Sequence, residues 1–435
     1  MPSNGPTGRR SYPPGFRTRR FLNWFPLGLM YASFYMGRYN LSVANPHIRE
    51  EYNWDKAQFG WIISAGLIVY GLAVLLNGPL ADRIGGRKAI LLGALGTLVL
   101  NLVFGAFGLN FMQPMVAVLA VIYAVNMYFQ TFGALSVVKV NAAWFHISER
   151  GTFAGIFGGM IQFGRVLAYG VGGVIVAHMH WRWAFWVPAA VLGAVFVMNY
   201  IFVRNTPEEL GYPRVDDVLH VEEGEKPSST AILKQIFTNP TLWIIAGAMM
   251  CTGLIRHTIE QWGPSYFKEV HNIAEDSLIY QICFNGQVVV GVAGAMVMGY
   301  ISDKLFQSRR GPVTAIAYFS QALLLVLFAV TKPGPWLAAI ILIVLYFFLN
   351  GCHGLLAGTA SMDFGGRRAA ATAAGLLDGA QYLIGSLVGV GMGKLLEQLG
   401  WGAWAWSIAP VAVIGGLLML SRWNVLPKTR GSSAH

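Results

Sequence analysis

The sequence is short of charged residues. Only 12% of its 435 residues are Asp, Glu, Lys or Arg, whereas 55% are hydrophobic. A soluble protein of this composition would leave too much surface without polar cover, but a protein that crosses a membrane many times needs no such cover. The composition therefore predicts an all-α membrane protein embedded in a lipid bilayer, in which each span needs about 20 apolar residues.

Motifs that would indicate catalysis are also missing. The sequence has no G-x-x-x-x-G-K-[ST] phosphate loop, which argues against ATP-driven transport, no Cys/His cluster with metal spacing and no nucleophile motif. We therefore expect no enzyme, no cofactor and no metal site. The three cysteines lie in apolar runs without paired spacing and are interpreted as small apolar residues, at Cys251, Cys283 and Cys352.

Twelve apolar runs predict twelve transmembrane helices in two six-helix halves. The expected spans are 21–45, 57–80, 88–108, 114–140, 151–177 and 183–203, then 241–262, 277–301, 313–330, 336–361, 369–395 and 403–420. The predicted organisation is an N-terminal tail, a first half, a polar linker, a second half and a C-terminal tail, at 1–20, 21–203, 204–239, 240–423 and 424–435.

Basic residues are concentrated in short loops between the apolar runs. They form no continuous basic face, so the net charge of +11 does not predict a nucleic-acid partner. Of the 31 basic residues, 21 fall in one set of loops and tails and 6 in the other, while Arg38, Lys139, Arg165 and Arg256 lie within predicted spans. The excess predicts that both termini are cytoplasmic, in a multi-pass protein of a bacterial-type inner membrane.

The two halves carry matching motifs. Asn45-Pro46 follows Arg38 at the distance at which Gly263-Pro264 follows Arg256, and the second motif lies 218 positions after the first. An arginine inside a span is costly and is kept where it faces a cavity or a partner. Parallel repeats of this kind place a substrate site between the halves, near the membrane midplane.

A second repeated motif is the loop after the second span of each half. The loop around Asp82 resembles the signature loop of the major facilitator superfamily, in which glycines allow a tight turn and the aspartate pairs across the cytoplasmic face. The resemblance implies alternating access by rocking of the two halves. It also implies a cytoplasmic latch that holds one conformation, formed by Asp82, Arg83, Gly85, Arg87, Asp303 and Lys304.

A narrower resemblance covers nearly the whole chain. The stretches 31–46, 206–213 and 256–270 resemble the organophosphate:phosphate antiporter family. Members exchange glycerol 3-phosphate, hexose 6-phosphate or phosphoglycerate for inorganic phosphate, and a few are sensors. The resemblance implies that Arg38 and Arg256 bind phosphate. Guanidinium groups suit this role because they stay protonated and match phosphate oxygens bidentately.

Other polar residues in the spans are candidates for the same site. Arg165 would add a third positive charge or bind a second acidic group on the substrate. Glu260 lies four residues after Arg256, where the two could pair on one helix face. Candidate substrate contacts, each of which could instead bridge helices, are Tyr35, Tyr39, Gln162 and His257; candidate coupling sites or charge partners are Glu260, Asp378 and His353.

The predicted function is transport of an organic phosphate, or of a related phosphorylated or phosphonate anion, in exchange for inorganic phosphate, by a monomer. Two unpaired buried cations in the substrate-free carrier would resist closure without an anion, which would make exchange obligatory. Two alternatives remain open. One is a non-transporting sugar-phosphate sensor of the same fold, and the other is a proton-coupled organic-anion symporter that uses Asp378 or a histidine.

Overall fold

The computed structural model describes residues 12–107, 115–215, 238–360 and 375–425. These residues form helical segments that we number α1 to α12 in chain order. They are α1 (Phe16–Tyr52), α2 (Lys56–Ile84), α3 (Gly86–Ala106), α4 (Val116–Trp144), α5 (Ile147–Val166, a π-helical turn at Leu167–Val171, then Gly172–His178), α6 (Trp183–Phe202), α7 (Pro240–His271), α8 (Leu278–Lys304), α9 (Arg310–Thr331), α10 (Pro335–His353, then a π-helical turn at Gly354–Ala360), α11 (375–385 and Leu387–Leu399) and α12 (Gly402–Leu420).

Within the described ranges, ten segments are long and apolar enough to cross a membrane, namely all except α1 and α11. Both exceptions contribute polar side chains to the centre of the bundle, α1 through Arg38 and Tyr39 and α11 through Gln381 and Tyr382. An all-helical chain with these apolar segments confirms the predicted fold class. The domain boundaries given above stay a prediction.

The first helix of each half runs past a proline. The predicted spans ended at 45 and 262, before Pro46 and Pro264, but α1 continues to Tyr52 and α7 to His271. A proline inside a helix removes one backbone donor and bends the axis, yet neighbouring contacts can hold the next turns in place. The added turns here carry charged side chains that pair across the two halves.

The first helix also begins earlier than predicted, at Phe16. Arg20, expected in the polar tail, is buried because its guanidinium group pairs with Glu149 at 2.8 Å. The same group lies over the rings of Tyr12 and Phe145, 4.9 and 4.8 Å from their centroids. With its charge compensated and its flat faces covered, Arg20 can join the helix.

Charged side chains join the halves at one end of the bundle, which we call the far side. It holds the α1–α2, α7–α8 and α11–α12 connections, at the end opposite the start of α1. Basic residues of the first half meet carboxylates of the second half there. The far-side pairs are Arg49–Glu269 (2.7 Å), Lys56–Glu269 (3.0 Å), Lys56–Glu397 (3.6 Å), His47–Glu275 (2.9 Å) and His178–Asp276 (2.9 Å).

Helices α2 and α11 touch backbone to backbone on the far side. A side-chain carbon on either Gly60 or Gly389 would overlap the carbonyl oxygen of the other. Ser64 reinforces the contact, since its hydroxyl donates to the carbonyl of Ser386 at 2.6 Å and accepts from the amide of Val390 at 3.0 Å. Small residues allow this approach, and the contact closes the far side between the halves.

Glu275 is the most deeply buried carboxylate of the far-side pairs, with 1% of its surface exposed. Burial alone would raise the pKa of Glu275. The hydrogen bond with His47 and the nearby charges of His47 and Lys268 outweigh that effect, so its pKa lies below the ordinary glutamate value. The ionised form is therefore the one that the folded protein favours.

We predict that replacing Gly389 by valine destabilises the closed far side by about 1–3 kcal/mol, because the added carbons overlap α2. Thermal unfolding in detergent and thiol labelling of a cysteine introduced at Ser64 measure the loss and the opening. Gly391→Val is the matched control, since a side chain there meets no atom within 4 Å. Equal behaviour of the two valine variants would contradict the close contact.

A second prediction concerns pH. A carboxyl group whose pKa is lower in the folded than in the unfolded protein stabilises the fold above the ordinary glutamate range and loses this effect as the pH falls through the lowered pKa. The unfolding temperature of the wild type should therefore fall on acidification, and that of Glu275→Gln should fall less. Glu50→Gln, which removes an exposed carboxylate, should keep the wild-type pH dependence.

Candidate functional site

Three arginines meet near the middle of the bundle. Arg38 on α1, Arg165 on α5 and Arg256 on α7 are 2%, 1% and 9% exposed. Tyr39 lies among them: its hydroxyl is 3.4 Å from Arg256 Nη2, and the guanidinium carbon of Arg165 is 5.4 Å from its ring centroid. The structure thus brings together the three arginines that the sequence singled out.

Arg38 is held by neutral groups. Its Nε donates to Gln130 Oε1 at 2.8 Å, and its Nη1 donates to the hydroxyl of Tyr382 at 3.0 Å. The guanidinium group also lies over the rings of Tyr35 and Tyr70, 4.8 and 4.4 Å from their centroids. Its Nη2 is buried without a hydrogen-bond partner, and no carboxylate of the described ranges lies within ion-pair distance. Arg38 therefore offers a free donor and a full positive charge.

Helix α4 fixes the backbone that carries Arg38. Tyr123 donates to the carbonyl of Arg38 at 3.0 Å, and Asn126 and Gln130 donate to the carbonyl of Gly37 at 3.1 and 3.0 Å. Because Gln130 also accepts from the Arg38 side chain, one residue positions both the backbone and the guanidinium group. This arrangement orders the arginine before any ligand arrives.

Arg256 and Arg165 are held by a carboxylate. Glu260 is 1% exposed, and its Oε1 lies 2.9 Å from Arg256 Nε and 3.3 Å from Arg165 Nη2. Tyr346 donates to Oε1 at 2.8 Å, and Tyr39 donates to Oε2 at 3.0 Å. The spacing of four residues allowed the pair with Arg256, but the contact with Arg165 comes from another helix. Glu260 thus receives donors from both halves.

The centre carries an excess of positive charge. Its deeply buried charged groups, within the described residues, are three guanidinium groups and one carboxylate. A buried cation without a counter-charge is costly, because the loss of hydration is not repaid by an opposite charge. An anion with two negative charges would compensate this excess.

His257 and Gln162 are further polar groups at the centre. Both ring nitrogens of His257 are buried and have no hydrogen-bond partner among the described residues, and Nδ1 lies 3.7 Å from Glu260 Oε2. Its ring packs against that of Tyr382, with centroids 4.9 Å apart. Gln162 lies one turn before Arg165, and its buried Oε1 also has no partner in the described part of the chain. Their unpaired polar atoms are available to a ligand. That they contact the substrate stays a prediction.

The remaining coupling candidates make no hydrogen bond or ion pair with Glu260 within the described residues. Asp378 is partly exposed and accepts a hydrogen bond from Gln381 at 3.3 Å, and His353 has a buried Nδ1 without a hydrogen bond. In the described part of the chain neither makes an ion pair with a site arginine. Of the three coupling or partner candidates, only Glu260 forms an ion pair with the arginines within the described residues.

A π-helical turn directly follows Arg165. Within it, the hydroxyl of Tyr169 donates to the carbonyl of Glu260 at 2.9 Å, and the carbonyl of Gly170 accepts from Gln281 on α8 at 3.2 Å. Such turns widen a helix locally and are frequent at functional sites. Tyr169, Tyr346 and Tyr70 escaped the sequence analysis, since tyrosines inside apolar runs carry no distinguishing pattern.

In the described residues, the latch motifs make contacts only within their own halves. Gly85 has a φ of +86°, which separates α2 from α3, and Arg87 donates to the carbonyl of Tyr200 at 2.6 Å. Asp303 pairs with Arg310 at 2.6 Å, while Arg83 and Lys304 are exposed. The side chain of Asp82 lies outside the described part of the structure. A latch that pairs residues across the cytoplasmic face stays a prediction.

The family model of the Major Facilitator Superfamily matches residues 27–390 of this chain. A probable hexose phosphate transport protein of Chlamydia pneumoniae is 26% identical over 96% of this chain and 94% of that protein. A glycerol-3-phosphate transporter of Bacillus subtilis (strain 168) is 25% identical over 91% and 90%, and the membrane sensor protein UhpC of Salmonella typhimurium is 27% identical over 97% and 96%. These relatives confirm the resemblance found in the sequence.

A solved structure gives the same picture of the fold. The inward-facing, unoccupied crystal structure of a bacterial homolog to the human lysosomal transporter Spinster has a TM-score of 0.69, with 95% of each chain covered. Its sequence is 15% identical, so the likeness concerns the fold alone.

We predict that Glu260→Gln lowers the free energy of unfolding by about 3–5 kcal/mol, because two buried guanidinium groups lose their anion. Arg165→Gln should cost less than Glu260→Gln, since it leaves Glu260 paired with Arg256. Glu397→Gln, at a partly exposed pair, should cost less than about 1 kcal/mol. Denaturant unfolding in detergent measures all three, and the opposite order for the first two would contradict the assigned pairing.

Proposed function

The chain belongs to the Major Facilitator Superfamily, and on this basis we propose that it carries an organic phosphate, or a related phosphorylated or phosphonate anion, in exchange for inorganic phosphate. Membership makes it an integral membrane transport protein rather than an enzyme, as predicted from the sequence. The observation that carries the proposal is Arg38, a buried arginine that among the described residues has only neutral partners and one free donor.

Arg38 has the properties of a phosphate anchor. Its charge is constant, and a phosphate oxygen can accept from the free Nη2, in a charge-assisted hydrogen bond. The Tyr382 hydroxyl accepts from Arg38 and keeps its own proton, which it can donate to the same ligand. The two free nitrogens of His257 lie beside Tyr382. These groups supply several donors to one anion.

The repeat-related Arg256 takes part in a different way. It is bound to Glu260, so it reaches a phosphate only by sharing or leaving that carboxylate. We propose that Arg38 anchors the phosphoryl group first and that Arg256 completes the clamp as the two halves close. The unequal partners of the two arginines support this order.

Alternating access requires the far side to open. The ion pairs of Arg49 and Lys56 with Glu269 would part, together with the contact between Gly60 and Gly389. We propose that the two halves rock about the central site as a monomer. We also propose that the termini face the cytoplasm of a bacterial-type inner membrane, which the distribution of basic residues supports.

A sensor is the second candidate function. It is favoured by the 27% identity to the membrane sensor protein UhpC, a value close to that of the transport relatives. A sensor would bind the same anion without moving it across the membrane. A proton-coupled symporter finds less support, because Asp378 makes no ion pair with the site arginines in the described ranges.

The test is uptake of labelled phosphate into proteoliposomes, with and without phosphate inside. We predict that Arg38→Ala lowers phosphate affinity about 10- to 100-fold, because a charged hydrogen-bond donor is lost, and that Arg38→Lys recovers part of it. Arg214→Ala, which removes an exposed arginine, should transport as the wild type does. Phosphate binding by well-folded wild type without any uptake would favour the sensor, and wild-type affinity in Arg38→Ala would refute the anchor.

A further inference from the structure

We propose that Glu260 determines which organic phosphates the site accepts: it takes the place of a second acidic group, so the substrate is a phosphate monoester or phosphonate without a carboxylate. The inference rests on the proposed function, because it concerns the same site. It assigns to Glu260 the role of a specificity residue.

The first step is the number of cations. A dianionic phosphate needs two guanidinium groups for full charge compensation, but the centre has three, Arg38, Arg165 and Arg256. A third arginine suggests either a substrate with an additional acid or an acid supplied by the protein. The structure favours an acid supplied by the protein, because Arg165 lies 3.3 Å from the carboxylate of Glu260.

The second step is the fit of that carboxylate. Glu260 accepts from four donors on four helices, Arg256, Arg165, Tyr346 and Tyr39, at 2.8 to 3.3 Å. Its environment is the one that a substrate carboxylate would need, namely two guanidinium groups and two hydroxyls around a deeply buried carboxylate. A carboxylate on the substrate would find these donors occupied.

The third step is electrostatic. With Glu260 ionised, the buried groups of the centre have two positive charges in excess, which a phosphate dianion balances. An additional carboxylate would leave the loaded centre with a net negative charge and would lie near Glu260. Like charges in a site of low dielectric repel strongly, which selects against the carboxylated substrate.

A pair of esters tests this directly. In 3-phosphoglycerate a carboxylate stands where glycerol 3-phosphate has a hydroxymethyl group, and the phosphoryl groups are the same. Each competes against labelled phosphate in proteoliposomes loaded with phosphate, above pH 7, where the phosphoryl group is dianionic. The wild type should bind glycerol 3-phosphate about 10- to 100-fold more tightly than 3-phosphoglycerate, the range expected for one like-charge contact. Equal affinities would overturn the proposal.

Glu260→Gln keeps the size of the side chain and removes its charge. The ratio of the two affinities should shift toward 3-phosphoglycerate by about tenfold or more, because Arg165 and Arg256 can then bind its carboxylate. Glu269→Gln is the matched control: it also removes a carboxylate that bridges the halves, but on the far side, and should leave the ratio unchanged. An unchanged ratio in Glu260→Gln would overturn the proposal.

A second pair of ligands and a direct measurement of binding cover the cases in which the esters do not compete or are not transported. If neither ester competes, methylphosphonate and phosphonoacetate form a smaller pair that differs by the carboxylate. Shifts of the unfolding temperature with each compound report binding without transport, so discrimination with no uptake would refute the carrier and leave the role of Glu260 intact. If Glu260→Gln does not fold, the wild-type ratio alone decides, since equal affinities contradict the proposal in any assay.

Discussion

A guanidinium group in the middle of a membrane has to be compensated, and the way in which each of three arginines is compensated organises this structure. Arg165 and Arg256 share the carboxylate of Glu260, which draws α5 of the first half toward α7 of the second. Arg38 is stabilised by dipoles and aromatic faces instead, from Gln130, Tyr382 and their neighbours. The first solution holds the halves together, whereas the second leaves a charge available to a ligand.

The same division of charge recurs along the interface between the halves. At the centre, a first-half arginine, Arg165, meets a second-half carboxylate, Glu260. On the far side, Arg49 and Lys56 of the first half meet Glu269 of the second. In each case the basic residue belongs to the first half and the carboxylate to the second. Partly exposed pairs contribute little free energy each, whereas the central pair is dehydrated, so the strongest electrostatic contact between the halves lies at the centre of the bundle.

Apolar content predicted the helices well, because a membrane span is specified by its own residues. Helix ends were less predictable, since they depend on partners from elsewhere in the chain. The burial of Arg20 needs Glu149, and the turn after Pro46 is held by contacts with the second half. Neither partner is visible in a local window of sequence.

The candidate site was likewise predictable only in part. Arg38, Arg165 and Arg256 stand out as charges in apolar runs, and the spacing of Arg256 and Glu260 indicated a pair. The sequence could not show that Arg165 reaches that carboxylate, because this depends on how α5 packs against α7. Tyr346 and Tyr70 were missed for a related reason: a tyrosine in an apolar span looks like any other large side chain until its hydroxyl or ring meets a charge.

The internal repeat explains why Arg38 and Arg256 have different partners. Arg256 is followed four residues later by Glu260, but the equivalent position after Arg38 is Ser42, whose hydroxyl donates to the carbonyl of Tyr39 at 2.8 Å. With an acid in both halves, each arginine would be compensated within its own helix and neither would need a substrate. With an acid in neither half, three buried cations would face one dianion. Within the described residues the centre has one acid for three arginines, which leaves two positive charges that a dianion would balance. The difference between the repeats is therefore what leaves the centre with an excess of positive charge.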